Sequence, residues 1–397
     1  MSVQIPKGFL FAAATARIKE SGNPDLAYVE APRGATAAAM FTTNRVVAAP
    51  VTVGREHLRA SRGRIRALLI NAGNANCATG SDGLAAARES CEALAALLSV
   101  SPQEIIPGST GIIGVPFPTS KLLAALPALL ANRRADADGA YSVARAIMTT
   151  DTRMKTASTS VSIDGRDVRV LGIAKGAGMI HPNMATLLVY LFTDIDASAP
   201  ELRRVLRPAV AASFNSISID GDTSTNDTVI LMASGTSGAC VRTTADEAAF
   251  LRAVTEICAS LAAQVVADGE GVKHTVTLRV DGAATHAAAD RIARTLAHSL
   301  LVKTAWAGAD PNWGRLLAAV GRAGVSVDPD VVAIWIGGEK VCERGAAFPF
   351  DATAVHKMMS EPSYEIRVQV GGGEGAARIL TGDLTAEYVR INADYST

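Results

Sequence analysis

Ser158-Thr-Ser-Val-Ser-Ile163-Asp164-Gly165-Arg-Asp167-Val-Arg-Val-Leu-Gly172-Ile-Ala-Lys175-Gly-Ala-Gly178-Met-Ile-His-Pro-Asn183-Met-Ala185-Thr186-Leu-Leu is the stretch on which the fold class turns. Asp164-Gly165 tolerates positive backbone angles, so it reads as a hairpin turn between strands at 158–163 and 167–174. A third apolar run follows at 186–193. Further strand-like runs lie at 8–15, 36–42, 67–71, 227–233, 275–280, 332–336, 364–370 and 376–381. Helical spacing is clearest in Phe250, Val254, Ile257, Cys258, Leu261 and Val265, with Thr244 and Glu247 as a capping box at the start. Ser198 with Glu201, and Ser101 with Glu104, repeat that signal, each with an early proline. Other helices are expected near 82–98, 120–132, 287–301 and 314–322. Strand pairs mixed with helices in this way break any regular β-α-β alternation, so the expectation is a layered α+β architecture rather than a doubly wound sheet.

With 397 residues, 49% hydrophobic and 19% charged, the chain can bury a large core and should hold about two domains. Lysine plus arginine balances aspartate plus glutamate at 38 each, which gives no field favouring nucleic acid or an anionic membrane. Five scattered cysteines, odd in number and with no C-x-x-C pair, point to buried thiols in a reducing compartment. Lys7 followed by the apolar run Phe9 to Ala16 resembles a short signal sequence, yet it reads equally well as a first strand. The apolar segment 184–192 is too short for a bilayer, which takes about 20 residues. The expected location is the cytoplasm. Gly371 to Gly375 reads as a turn.

The chemistry concentrates around Thr186. Glycines at 176 and 178 allow close backbone approach, Pro182 fixes a turn, and a small Ala-Thr step leads into an apolar strand. A threonine hydroxyl is a weak nucleophile without a base. If its own amide bond is cut, the freed α-amino group, with a reference pKa of about 7.7–8.0, supplies that base. The same hydroxyl can attack the Ala185 carbonyl first, giving an ester that water opens. Judged on local residues alone, Thr186 reads as an ordinary threonine opening a strand. Pro107-Gly-Ser-Thr110-Gly111-Ile-Ile-Gly114 reads as a glycine-rich turn whose amides could hold an oxyanion, though a plain loop is its simpler reading. Lys175 could bind a carboxylate or sit solvated at the surface.

Two polar clusters, Asn71-Ala-Gly-Asn74-Ala-Asn76 and Asp220 to Thr228, are expected to make loop hydrogen bonds around the site. The second lacks the glycine and late glutamate of a calcium loop, so no metal site is expected there. The six histidines are dispersed, and His181, the one near the candidate site, reads best as packed or solvated.

The run Lys175-Gly-Ala-Gly-Met-Ile-His-Pro-Asn-Met-Ala185-Thr186-Leu-Leu resembles the autoprocessing segment of the ornithine acetyltransferase (glutamate N-acetyltransferase) family. Ser109-Thr110-Gly111, Met148-Thr-Thr-Asp151-Thr152, Ser218-Ile-Asp-Gly-Asp222, Asp268-Gly-Glu270-Gly271, Asp310-Pro-Asn-Trp313-Gly-Arg315 and the ending Tyr388 to Thr397 resemble further family signatures in order, over almost the whole chain. The resemblance implies an α/β/β/α-type sandwich with mixed sheets plus a smaller C-terminal α/β domain within about 280–397. It implies cleavage between Ala185 and Thr186 into an α chain, 1–185, and a β chain, 186–397, which assemble as an α2β2 heterotetramer. Thr186 would carry acetyl from N-acetylornithine to glutamate in arginine biosynthesis. Thr110 and Gly111 would form the oxyanion hole, and Thr152, Lys175, Thr186, Glu270, Asn392 and Thr397 would bind substrate. Lys175 suits a carboxylate and Glu270 an ammonium. No cofactor or metal is implied, and acetyl-CoA is the one further co-substrate left open.

Two rivals remain at this level. A self-cleaving N-terminal-threonine aminopeptidase or amidase would hand the acyl group to water. A non-enzymatic small-molecule binding protein would use the glycine loops only to close a pocket.

Overall fold

In a computed structural model, described over residues 3–181 and 187–394, the Asp164-Gly165 turn forms with φ of 52° and 70°. It joins antiparallel strands Lys155–Ile163 and Arg166–Lys175, in register from Lys155 opposite Ala174 to Ile163 opposite Arg166. Residues 182–186, with Ala185 and Thr186, and Thr397 lie outside the described residues.

The chain divides into two units. The first runs to Asn215 and takes in Asp222–Val265. Its mixed sheet has the order Ile105–Ile112, Arg64–Asn74, Leu26–Phe41, Thr228–Ala233, Leu188–Thr193, Arg166–Lys175, Lys155–Ile163, with Leu10–Ala14 also paired to Leu26–Phe41. Successive residues face opposite sides of a strand, and both sides here are apolar. Phe11, Val29, Leu68, Ile173, Phe192 and Ile230 form one core with Val143 of helix Ala137–Ala146. On the other face, Tyr28 and Leu69 pack with Leu94 of helix Gly80–Leu98 and Leu126 of helix Thr119–Ala131. The second unit comprises Ser216–Gly221 and Val266–Ser396. It has its own mixed sheet, in which Thr275–Ala283 lies between Ser363–Gln369, parallel, and Gly375–Gly382, antiparallel. Helices His286–Ala297 and Trp313–Gly321 contribute Ile292, Leu296 and Leu316 to its core. The architecture is thus α+β with two mixed sheets.

Several local expectations need correction. Ser101 and Glu104 start no α-helix: only a three-residue 3-10 turn, Pro102–Glu104, forms, because Ile105 opens a strand. The stretch from Pro107 to Gly111 is strand rather than turn, held by parallel pairing to Arg64–Asn74. Helix Thr244–Ala267 forms, but its cap lies one residue earlier. Thr243 Oγ1 accepts from Asp246 N at 3.1 Å, and Asp246 Oδ2 accepts from Thr243 N at 2.9 Å. The helix expected over 287–301 breaks at His298-Ser299 into His286–Ala297 and Leu300–Ala307. Ser198 and Glu201 do form their capping box, on helix Ala199–Ala212. The run after Lys7 takes its strand alternative. Thr244–Ala267 is long and apolar enough to cross a membrane, but 56% of its most apolar window is buried within the protein, as its apolar stripe requires.

Candidate active site

Lys175 ends the strand Arg166–Lys175 and lies opposite Leu188, the first residue of Leu188–Thr193. Thr186 therefore precedes this pair by two residues. Lys175 is buried, with 3% exposure, which its charge tolerates only with partners. Its Nζ donates to Thr149 Oγ1 at 2.9 Å and Thr110 Oγ1 at 3.2 Å, and lies 4.0 Å from Asp151 Oδ2. Asp151 in turn accepts from Lys155 Nζ at 2.6 Å, from Gly176 N at 2.7 Å and from Thr149 N at 3.0 Å. Burial alone would raise the Asp151 carboxyl, but the charges of Lys175 and Lys155 outweigh it and hold the group at about 2. Two ammonium groups share one carboxylate here, so the cluster carries an excess positive charge. Such a cluster suits an anionic ligand. A further lysine, Lys19, feels the same charges; burial, the largest effect, lowers its pKa, and its Nζ donates to the carbonyls of Pro24 and Ala146 at 2.9 and 3.0 Å.

Thr110 and Gly111 lie near the end of the edge strand Ile105–Ile112, where its pairing with Gly73 and Asn74 slips. Gly111 has φ of 128°, and a Cβ there would stand 2.4 Å from Gly73 C and 2.6 Å from Asn74 N. Only glycine permits this approach. The expected polar loops brace the strand. Asn226 Nδ2 donates to Ser109 O at 2.9 Å and Ala75 O at 2.7 Å, while Ser109 Oγ donates to Asn71 Oδ1 at 2.6 Å. The hydrogen bond from Lys175 to Thr110 joins this braced strand to the approach to Thr186.

Of the other sequence candidates, Thr152 follows Asp151 and is exposed. Glu270 and Asn392 belong to the second unit, where Asn392 Nδ2 donates to Glu270 Oε2 at 2.8 Å. Helix Ala386–Asp394, which carries Asn392, was not expected. Thr149, Lys155 and Lys19 are not among the sequence candidates, and Asp227 is there only as a member of the polar cluster Asp220 to Thr228. Asp227 is buried at 1% exposure, and its Oδ1 accepts from Leu187 N at 3.0 Å. Asp151 followed four residues later by Lys155 is a readable signal for that ion pair; nothing local marks Lys19.

The ArgJ family model matches residues 10–397. A protein of Methylococcus capsulatus, named arginine biosynthesis bifunctional protein ArgJ, is 48% identical over 98% of this chain and 95% of its own length. A Parasynechococcus marenigrum protein of the same name is 42% identical over 100% of this chain and 95% of its own. Among solved structures, ArgJ of Bacillus halodurans is 36% identical, covering 51% of this chain and 96% of its own at a TM-score of 0.49. Ornithine acetyltransferase of Mycobacterium tuberculosis, complexed with ornithine, is 35% identical, covering 47% of this chain and 96% of its own at a TM-score of 0.40. With a family match over nearly its whole length and near-full-length relatives above 40% identity, the chain belongs to the ArgJ family, and with it to the acyltransferases of arginine biosynthesis.

Proposed function

We propose that the chain cuts itself between Ala185 and Thr186, and that the freed Thr186 then moves acetyl groups from N-acetylornithine to glutamate. The observation that carries this reading is the hydrogen bond from buried Lys175, opposite Leu188, to Thr110 at 3.2 Å. It ties a candidate carboxylate binder and a candidate oxyanion hole to the chain leading from Thr186. In the first half-reaction the Thr186 amine takes the proton from its own Oγ, which attacks the acetyl carbonyl. The backbone N–H groups of Thr110 and Gly111 hold the tetrahedral oxyanion. Collapse breaks the C–N bond, the Thr186 ammonium returns its proton to the leaving nitrogen, and ornithine departs. Glutamate's amine then attacks the acetyl-threonine ester, and the ester oxygen regains its proton through the Thr186 amine. Lys175, within the positive cluster, suits a substrate carboxylate, and Thr152 and Thr397 complete that recognition. Glu270 and Asn392 suit the ornithine side-chain ammonium.

The reading calls for no metal and no bound cofactor. It includes a cytoplasmic α2β2 assembly of chains 1–185 and 186–397, the C-terminal chain holding a smaller α/β subdomain. Curated relatives at 42–48% identity carry the word bifunctional in their names, which supports acetyl-CoA-dependent acetylation of glutamate as a second activity. Wild type should give two bands on a denaturing gel, and Thr186→Ala one uncut, inactive chain. Ornithine release should depend on glutamate; release into water alone would favour an amidase, and an active uncut chain would end the proposal.

A further inference from the structure

The backbone just past the proposed cut is held on both sides by one short segment. Leu187 donates its amide to Asp227 Oδ1 at 3.0 Å, and its carbonyl accepts from Thr228 N at 3.1 Å. Asp227 is itself fixed, since its carbonyl accepts from Thr42 N at 2.9 Å and Thr228 lies opposite Leu188 in the parallel pair. Its other carboxyl oxygen, Oδ2, is buried and has no hydrogen-bond partner among the described residues. A buried carboxyl used only as scaffold would ordinarily be satisfied at both oxygens or replaced by an apolar residue. We propose that Asp227 is the positioning residue for self-cleavage, acting as a hydrogen-bonding and not a proton-transferring group, by fixing Leu187, the second residue after the proposed cut.

Burial, the largest influence, raises the Asp227 carboxyl well above the ordinary range, more than the Leu187 amide, the Lys175 charge and the Thr42 hydroxyl lower it. What the geometry asks of the group is an acceptor oxygen for the Leu187 amide. Asparagine keeps that acceptor in the same shape; alanine removes it. This rests on the self-cleavage reading above, in which attack requires the hydroxyl and carbonyl to meet within a few tenths of an ångström.

The test is the time course of cutting in full-length chain made by cell-free translation and followed on a denaturing gel. Asp227→Ala is expected to slow cutting by about tenfold to a hundredfold, and Asp227→Asn to recover most of the wild-type rate. To guard against an alanine variant that does not fold, the Leu187 amide is replaced by an ester, which removes the donor alone. It should slow cutting by a similar factor in wild type and add nothing further in Asp227→Ala. Wild-type rates in Asp227→Ala or in the ester variant overturn the inference, and so does an asparagine variant as slow as alanine, which would mean proton transfer. A wild-type chain that never cuts would remove the self-cleavage reading itself, a distinct result.

Discussion

Burying a carboxylate is costly unless a cation or a proton goes in with it. Asp151 takes the first route, beside Lys155. Asp151 and Lys155, both about 1% exposed or less at the side chain, meet at 2.6 Å. Removing the lysine strands a buried charge that Lys175, at 4.0 Å, offsets only in part. Lys155→Met is expected to cost about 3–5 kcal/mol, read by urea unfolding in a Thr186→Ala background so that one chain is compared with one chain. A loss under about 1 kcal/mol would show that Lys175 and the Gly176 amide already satisfy Asp151. The pair also carries a pH signature. The folded Asp151 value, about 2, lies below the ordinary 3.8, so the unfolded chain takes up the proton first. The stabilisation is complete above about pH 4 and disappears as pH falls towards about 2. Asp151→Asn should flatten the acid-unfolding curve in that window and leave the curve above it parallel to wild type.

At the scale of the element, the pairing slip between Arg64–Asn74 and Ile105–Ile112 brings Gly111 against Gly73 and Asn74. Gly111→Ala would drive a Cβ into backbone atoms at 2.4 and 2.6 Å, which a neighbour's rotamer cannot relieve. Gly114→Ala is the matched control, since its φ of 81° is also positive but nothing lies within 4 Å of its Cβ. The control should cost about 1 kcal/mol. Gly111→Ala should lower the melting temperature further and, if the proposed oxyanion role of its amide holds, cut acetyl-transfer kcat by about a hundredfold or more by displacing that donor. Equal effects of the two substitutions would mean that the close approach is irrelevant. This strand also marks the limit of what the sequence shows. The Asp164-Gly165 hairpin is legible because its turn and its two strands are adjacent in the chain. Ile105–Ile112 is not, because proline and glycine at 107 and 108 spell a turn, and only pairing to a strand some forty residues earlier overrides them. Helices Ala49–Ala60 and Ala137–Ala146 are hidden for a different reason: the first buries Pro50, Val51, Val53 and Gly54, residues of poor helix propensity, and the second buries mainly glycine and alanine, with Val143 its one large apolar side chain. In the site, Thr110 and Lys175 were each nominated from local sequence, but their hydrogen bond spans 65 positions. Lys19 carries no local mark because one of its partners, the Ala146 carbonyl, ends a helix 127 positions away, and the polar cluster that holds Asp227 does not reveal its bond to Leu187, 40 positions earlier.

Across the whole molecule, the place of the proposed cut within the first unit's sheet decides what the two pieces can do afterwards. Strands Leu188–Thr193 and Thr228–Ala233 come from the C-terminal piece and pair with each other. Both of their outer edges are occupied by the N-terminal piece: Thr36 to Phe41 along Thr228–Ala233, and Val170 to Lys175 along Leu188–Thr193. One core draws on both pieces, with Val29, Leu171 and Ile173 from one and Tyr190, Phe192, Ile230 and Met232 from the other. Each such side chain is worth about 1.5–3 kcal/mol on burial, and the two central strands would expose unpaired backbone if they left. Cutting one peptide bond therefore severs the covalent link without providing a surface along which the pieces could part. Residues 1–185 made alone should lack the middle of their sheet and prove insoluble or unfolded, whereas 1–185 and 186–397 made together should assemble and co-purify. The cut enzyme should run as one species on gel filtration through high salt, and its pieces should separate only with the loss of secondary structure that circular dichroism follows in guanidinium. Separation in native buffer with circular dichroism unchanged would mean that the interleaved sheet does not persist in solution.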